Sequence, residues 1–175
     1  MKYKFGSGDD GRTSTYGGRV NKTDVLIKAI GDIDELSAFI GNAMSNLSDS
    51  KVYDTLKSIE YDLYLISANI AGYKKEKDVK KISEDDVARL DNEILVYSKN
   101  LNDITGFVYP NGSMSATSIN ICRTIARRAE RSVLEVKDSD ASVKRYMNRL
   151  SSLLFVMFRY LNNADESNEE KFNKD

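Results

Sequence analysis

Histidine is absent from this sequence of 175 residues, and cysteine occurs once. The absence of histidine removes the most common metal ligand and the usual general base near neutral pH. The single cysteine, Cys122, has no partner within the chain for a disulfide, which is typical of a protein in a reducing compartment. We therefore expect a cytoplasmic location and no metal site built from protein side chains.

The sequence also has little proline, almost no net charge and no long hydrophobic run. The one proline, Pro110, leaves long stretches free to form helices. With 26 basic and 27 acidic residues, no overall charge favours nucleic acid or an anionic membrane surface. No apolar stretch approaches the ~20 residues that span a bilayer, and the first residues show no signal-peptide pattern. We expect neither nucleic acid nor a membrane as a partner.

Apolar residues recur at helical spacing in five segments of the chain. These segments span residues 24–47, 50–73, 83–101, 113–136 and 140–163. Ser83 and Ser113 stand where they can cap the third and fourth helices. Mostly short connections predict an all-α fold, a five-helix bundle in one domain over residues 1–164. Residues 165–175 have the composition of a disordered tail.

Glycine is uncommon but is concentrated near the N-terminus. Five of the ten glycines lie in the segment FGSGDDGRTSTYGGR, residues 5–19, which we expect to be neither helix nor strand. Glycine lets backbone N–H groups surround the oxygens of a phosphate without side-chain clashes. A flexible loop with no ligand is an equally good interpretation of this segment by itself.

The fourth predicted helix carries arginines beside its apolar face. On a helical wheel, Arg123, Arg127, Asn120 and Glu130 form a stripe next to the core positions. The guanidinium group matches the geometry of phosphate and carboxylate groups. A solvated charged face would give the same pattern. On the first helix, Asp34 lies in a ridge of small residues. By itself, this ridge could be a groove for helix packing.

Four segments, in order and spacing, resemble the PduO-type ATP:cob(I)alamin adenosyltransferases. They are GSGDDGRTSTYGG, IGDIDELSAFIG, YPNGSMSATSINICRTIARRAERSV and YMNRLSSLLFVMFRYLN. The resemblance extends over about residues 4–162. It implies a homotrimer of ferritin-like five-helix bundles with the ATP site between subunits. It also implies transfer of the 5′-deoxyadenosyl group of ATP to the Co(I) of cobalamin, with release of triphosphate.

The resemblance implies nucleotide-binding roles for individual residues. In the N-terminal loop, about residues 5–22, Lys22 would reach the phosphates of ATP. The residues that would surround the nucleotide there are Gly8, Asp9, Gly11, Thr13 and Ser14. On the helices, Arg127 would bind the phosphates, Asn148 would position the nucleotide, and Glu130 would help to hold the site.

Two further implied roles concern assembly and the corrin. Arg123 would pair with Asp34 across the subunit interface. Phe107 matches an aromatic residue that presses on the lower face of the corrin and excludes its axial base. The ring offers no lone pair, so cobalt would lose that ligand and Co(II) would become easier to reduce. The packing interpretation of Phe107 is that it plugs one end of the bundle.

The same resemblance implies ATP, Mg²⁺ and cobalamin as ligands, with a flavin-type reductase and a cobalamin-dependent acceptor enzyme as partners. The sequence departs from the family at residues 5–9, where FGSGD replaces the usual Thr-Lys-x-Gly-Asp. This loss leaves two alternatives open. One is an ATP- or corrinoid-binding module or chaperone with little transfer activity, and the other is a purely structural bundle.

Overall fold

The computed structural model describes residues 5–73, 80–104, 106–137 and 139–165. Five long helices follow a short N-terminal hairpin. The elements are β1 (Arg12–Thr15), β2 (Gly18–Asn21), α1 (Val25–Met44), α2 (Ser50–Ile70), α3 (Glu84–Ser98), α4 (Met114–Glu135) and α5 (Ala141–Ala164). The predicted all-α bundle of five helices is confirmed. Apart from Asp165, the predicted tail lies outside the described residues.

Side chains that accept hydrogen bonds mark where the helices begin. Asp24 and Asp49 accept bonds from the first N–H groups of α1 and α2. Ser113 caps α4, as the sequence predicted. At α3 the Ser83 N–H donates to Asp86 at 2.9 Å, which is half of a capping box.

The first three helices end before the residues that the apolar pattern predicted. Helix α2 ends at Ile70 rather than residue 73. The reason is Gly72, whose φ of +78° turns the chain out of the helix. The Tyr73 N–H then donates to the Ala68 carbonyl at 3.0 Å, and that bond closes a Schellman motif. Apolar periodicity does not detect such a stop.

One core lies between the helices, and α4 has a central place in it. Helix α4 packs against both α1 and α5, while α3 packs on α5 and α2 on α1. The predicted core stripes of α4 and α5 are all buried: Ile119, Cys122, Ala126, Ala129, Val133, Met147, Leu150, Leu154 and Phe158. Because these positions face inward, the neighbouring arginine stripe lies at the edge of the bundle. None of the described helices combines the length and apolar character that a bilayer span needs.

A buried polar cluster joins α2, α3 and α5 away from the predicted site. The Tyr146 hydroxyl donates to Asp62 at 2.8 Å, and Arg89 forms an ion pair with the same carboxylate. Burial raises the pKa of Asp62 in spite of these partners, and it raises the pKa of Tyr146 well above the ordinary value. The cluster links the outer helices to α5.

Candidate functional site

The glycine-rich segment folds in part as an antiparallel hairpin, so the expectation of neither helix nor strand was wrong. Strand β1 pairs with β2 in a register that sets Arg12 opposite Asn21 and Thr15 opposite Gly18. Both strands are largely exposed, so they lack the apolar alternation that identifies a strand in a sequence. The seven described residues before β1 form turns, such as the bond from the Asp9 N–H to the Gly6 carbonyl at 3.2 Å.

The hairpin brings Lys22 back to the glycine loop. The backbone N–H of Lys22 donates to the Gly11 carbonyl at 2.8 Å, and Gly11 has a φ of +75°. A Cβ on Gly8 would lie 2.8 Å from the Lys22 Nζ, so glycine leaves the room that the ammonium group occupies. The predicted phosphate lysine and the predicted phosphate loop therefore lie together.

Two other charged residues of the loop and hairpin, Asp10 and Arg19, pair with each other. Asp10 pairs with Arg19 at 2.8 Å and accepts a bond from the Arg12 N–H at 3.1 Å. The hydrogen bond from the Arg12 backbone N–H and the charge of the Arg19 guanidinium lower the pKa of Asp10. Gly6 occupies the position where the related family has lysine. Its φ is +82°, a backbone conformation that is strained for any residue with a side chain. Among the described residues, Lys22 is the cation that lies against Gly8.

A cleft of about 710 Å³ lies between the hairpin and helices α1 and α2. Thr13 and Ser14 of β1 line it on one side, and Asp34 of α1 lines it on the other. Asp34 is exposed, and within the described part of the chain its carboxylate has no hydrogen bond or ion pair. The structure thus brings Thr13, Ser14 and Asp34 to one cleft, whereas the other predicted nucleotide residues of the loop are not among the residues that line it.

The remaining polar site residues share a surface of α4 and α5. The Asn148 Nδ2 donates to Glu130 at 3.0 Å, which orients the amide. Arg123 is partly buried and lies one helical turn from the exposed Arg127. Burial, and then the charge of Arg127, lower the pKa of Arg123. Because the two guanidinium groups repel each other, this surface favours an anion.

Phe107 lies at a second pocket, of about 570 Å³, next to that surface. Ile104, Val108, Phe155 and Arg123 line the same pocket. The Arg123 guanidinium carbon lies 5.9 Å from the centroid of the Phe155 ring. Phe107 itself is 84% exposed, so the interpretation that it plugs the bundle end is wrong for this chain. Arg123 belongs to both the arginine stripe and the apolar pocket.

Not every arginine of α4 belongs to this surface. Arg128 pairs with Glu35 and lies 3.5 Å from Asp32, both on α1, and Ser132 also donates to Asp32. These contacts fasten α4 to α1. The apolar pattern does not predict these contacts, although the two acidic residues three positions apart on α1 are a signal visible in the sequence. Among the described residues, no bond joins Asp34 to Arg123 within the chain.

The site contains no thiol nucleophile and no preformed cluster of metal ligands. Burial raises the pKa of the Cys122 thiol to about 12, so the thiolate is not populated near neutral pH. Across the residues that the structure describes, no group of three or more His, Cys, Asp or Glu could hold a metal ion. The polar groups of the site are suited to binding and charge neutralisation.

The cobalamin adenosyltransferase family model matches residues 3–161. The chain belongs to this family. The corrinoid adenosyltransferase of Bacillus subtilis (strain 168) is 35% identical over 169 residues, covering 93% of this chain and 87% of that protein. The cobalamin adenosyltransferase of Cupriavidus metallidurans is 38% identical over 165 residues, covering 90% and 86%. The predicted family and the predicted class of enzyme are therefore confirmed.

Solved structures share the fold of this cobalamin adenosyltransferase family member. One is a phenylalanine-to-histidine variant of the PduO-type ATP:corrinoid adenosyltransferase from Lactobacillus reuteri, complexed with cobalamin and ATP. It has a TM-score of 0.91 at 24% identity and covers 99% of this chain and 97% of that chain. An arginine-to-lysine variant from the same organism, complexed with ATP, has a TM-score of 0.89 at 24% identity, covering 98% and 100%.

Proposed function

We propose that this protein transfers the 5′-deoxyadenosyl group of ATP to the cobalt of a reduced corrinoid and releases triphosphate. The observation that carries the proposal is the position of Arg123, which lines the apolar pocket of Phe107 and lies one helical turn from Arg127. ATP phosphates bound at Arg127 would lie next to Arg123. A flat apolar ring system packed against Phe107 would reach the same residue from the pocket. Membership in the family supports the same reaction.

The substrate supplies the nucleophile in this reaction, so the protein does not need one. The cobalt–carbon bond forms as the C5′–oxygen bond breaks, and triphosphate leaves with the bonding electrons. The protein holds C5′ in line with cobalt and neutralises the charge that develops on the leaving group. Lys22 and Arg127 are the cations for that task. Mg²⁺ is expected with the nucleotide, because phosphate oxygens are among its preferred ligands.

The hairpin is suited to the rest of the nucleotide. The N–H groups of Asp9, Gly11 and Arg12 donate within the loop, which leaves the Gly8 N–H and the hydroxyls of Thr13 and Ser14 to donate to phosphate oxygens. Asp9 lies in the same loop. On the α4–α5 surface, the bond that the Asn148 Nδ2 donates to Glu130 orients the amide for a polar group of the nucleoside. We propose that residues 1–164 form the single catalytic domain.

Two features support an assembly in which the site is completed between subunits. Asp34 is an exposed carboxylate and Arg123 a partly buried cation, and neither has an oppositely charged partner in the described part of the chain. An uncompensated charge is costly once a surface is buried. We propose a homotrimer in which Asp34 of one subunit pairs with Arg123 of the next.

The assembly predicts the mass of the protein in solution. Analytical ultracentrifugation at micromolar concentration should give a mass near three chains. Asp34→Arg and Arg123→Asp should each weaken assembly and activity because they create like-charge contacts, and the double variant should recover both in part. Asp54→Arg, at an exposed position of α2, serves as the control. A monomeric wild-type protein would remove the basis for an intersubunit site.

The contact between the hairpin and α2 predicts a second effect, on ATP affinity. The Gly17 N–H donates to the Ala71 carbonyl at 3.1 Å, and the rings of Tyr16 and Tyr73 meet edge to face. A Cβ on Gly72 would lie 3.2 Å from the Gly17 backbone. Gly72→Ala should therefore displace the hairpin and weaken ATP binding, with a local strain of about 1–2 kcal/mol.

Gly72→Asn separates the contact from the backbone conformation. Asparagine tolerates positive φ better than alanine but also carries a Cβ. Titration calorimetry should show weaker ATP binding in both variants, because both crowd Gly17. Full ATP affinity in folded Gly72→Asn would mean that this contact does not position the hairpin.

An absorbance assay tests the proposed function directly. Purified protein, ATP, Mg²⁺ and chemically reduced cobalamin should produce the adenosylcobalamin spectrum, and omission of ATP should abolish it. Binding of ATP without turnover would favour the binding-module alternative, and binding of neither substrate would favour the structural bundle. In the cell, the proposal places the protein in the cytoplasm with a flavin-type reductase to supply the electron and a cobalamin-dependent enzyme to accept the product.

A further inference from the structure

We propose that two residues of α5, Arg159 and Asn162, and its C-cap residue, Asp165, hold the connection between α3 and α4 and thereby position Phe107 in the transfer reaction. Successive members lie three residues apart, so they occupy one face of the last turns of α5. They are positioning residues, because they act through Phe107 and not on the substrate. The inference rests on the proposed role of Phe107.

Arg159 binds the connection on the α3 side of Phe107. Its Nη2 donates to the Asn102 carbonyl at 2.7 Å, and the side chain is only 6% exposed. A buried guanidinium that donates to a loop carbonyl strongly restrains that loop, because the charged donor has no access to water.

Asn162 binds the connection on the α4 side. Its Oδ1 accepts the Ser113 N–H and its Nδ2 donates to the Asn111 carbonyl, both at 3.1 Å. The side chain is buried, and the two opposite bonds determine the orientation of the amide. Gly112 lies between these partners with a φ of +126°, and a Cβ there would overlap the Asn162 amide. The close approach therefore requires glycine.

Asp165 extends the same arrangement to the first turn of α4. The Ser115 hydroxyl donates to its carboxylate at 2.6 Å. Hydrogen bonds from Ser113 and Ser115 lower the pKa of Asp165. Asp165 is exposed, so we expect a smaller effect from its removal than from removal of Asn162.

These contacts matter because Phe107 cannot position itself. At 84% exposure, the ring has little packing of its own within the chain. Its place is set by the backbone, which α5 holds at Asn102 before the ring and at Asn111 after it. An error of about 1 Å in a positioned group can lower a rate by about 100-fold.

Asn162→Ala tests the inference through the coordination of cobalt. With Co(II)alamin and ATP, the folded variant should show a smaller four-coordinate signal than the wild type. Turnover that starts from Co(II) should fall about 10-fold, and turnover with Co(I) supplied should fall less. The ATP affinity should stay within about twofold, because the hairpin is untouched. Asn163→Ala, at the exposed neighbouring position, is the matched control and should behave as wild type.

Asn162→Asp provides a second variant if Asn162→Ala fails to fold. It keeps the acceptor for Ser113 but loses the donor to Asn111, so an intermediate four-coordinate signal is expected. A full signal in a folded variant with a lower melting temperature would make Asn162 merely structural and overturn the inference. Phe107→Ala is measured alongside. If Phe107→Ala also keeps the full four-coordinate signal, the proposed role of Phe107 fails. If Phe107→Ala loses the signal while the Asn162 variants keep it, only the inference about α5 fails.

Discussion

Replacing Arg127 with alanine is expected to lower adenosyl transfer about 100-fold while the bundle stays folded. The side chain is exposed beside the core stripe of α4, so its removal leaves no cavity. In the proposed reaction its guanidinium neutralises charge on the leaving triphosphate. Loss of one charge-assisted contact in a transition state costs about 3 kcal/mol, which is a factor of about 100 in rate.

Two further substitutions separate this role from a general charge effect. Arg131→Ala removes an exposed arginine one turn along the same helix and should keep near-normal activity. Arg127→Lys keeps the charge but loses the planar fork, so its activity should lie between those of wild type and Arg127→Ala. Rates are measured with Co(I) supplied and circular dichroism checks the fold. Near-normal turnover in folded Arg127→Ala would make the arginine stripe a solvated face.

Replacing Phe107 with alanine is expected to abolish transfer that starts from Co(II) and to spare much of the transfer that starts from Co(I). The exposed ring forms an apolar wall at its pocket with Ile104, Val108 and Phe155. A corrin against that wall has no lone pair below cobalt, and a four-coordinate Co(II) is easier to reduce. Alanine opens room for water, which restores the fifth ligand and makes reduction harder.

The spectrum of Co(II)alamin with protein and ATP decides this prediction. Wild type should show a four-coordinate signal, and Phe107→Ala should not. Phe107→Leu retains an apolar side chain without a lone pair and should keep part of the signal. ATP binding and melting temperature should change little, because the ring has few contacts within the chain. Equal signals in wild type and Phe107→Ala would contradict the proposed role of Phe107 below the corrin.

The helices and their inward faces follow from the sequence alone. Apolar residues at a period of 3.6 and capping side chains act over one or two turns, so they can be read locally. Every predicted core position of α4 and α5 is buried. The same local pattern placed the arginine stripe beside the core. The resemblance then assigned its members to the nucleotide.

Local pattern did not predict the hairpin or the end of α2. The hairpin strands are largely exposed and do not alternate apolar with polar residues, so the hydrophobicity of the sequence does not reveal their pairing. The end of α2 depends on Gly72, which has a left-handed conformation and against which the Gly17 backbone packs closely. The sequence shows the glycine at position 72, but it does not show that the hairpin, some 55 positions earlier, packs against it.

Tertiary structure alone decided which polar side chains act together. Arg127 and Arg128 are neighbours in sequence, yet Arg128 pairs with Glu35 on α1, whereas Arg127 has no ion pair among the described residues. Asn162 on α5 meets Ser113 at the start of α4, which the helical wheel of α5 cannot show. The physical reason is that periodicity assigns a residue to a face of its own helix, whereas its partner depends on how distant helices pack.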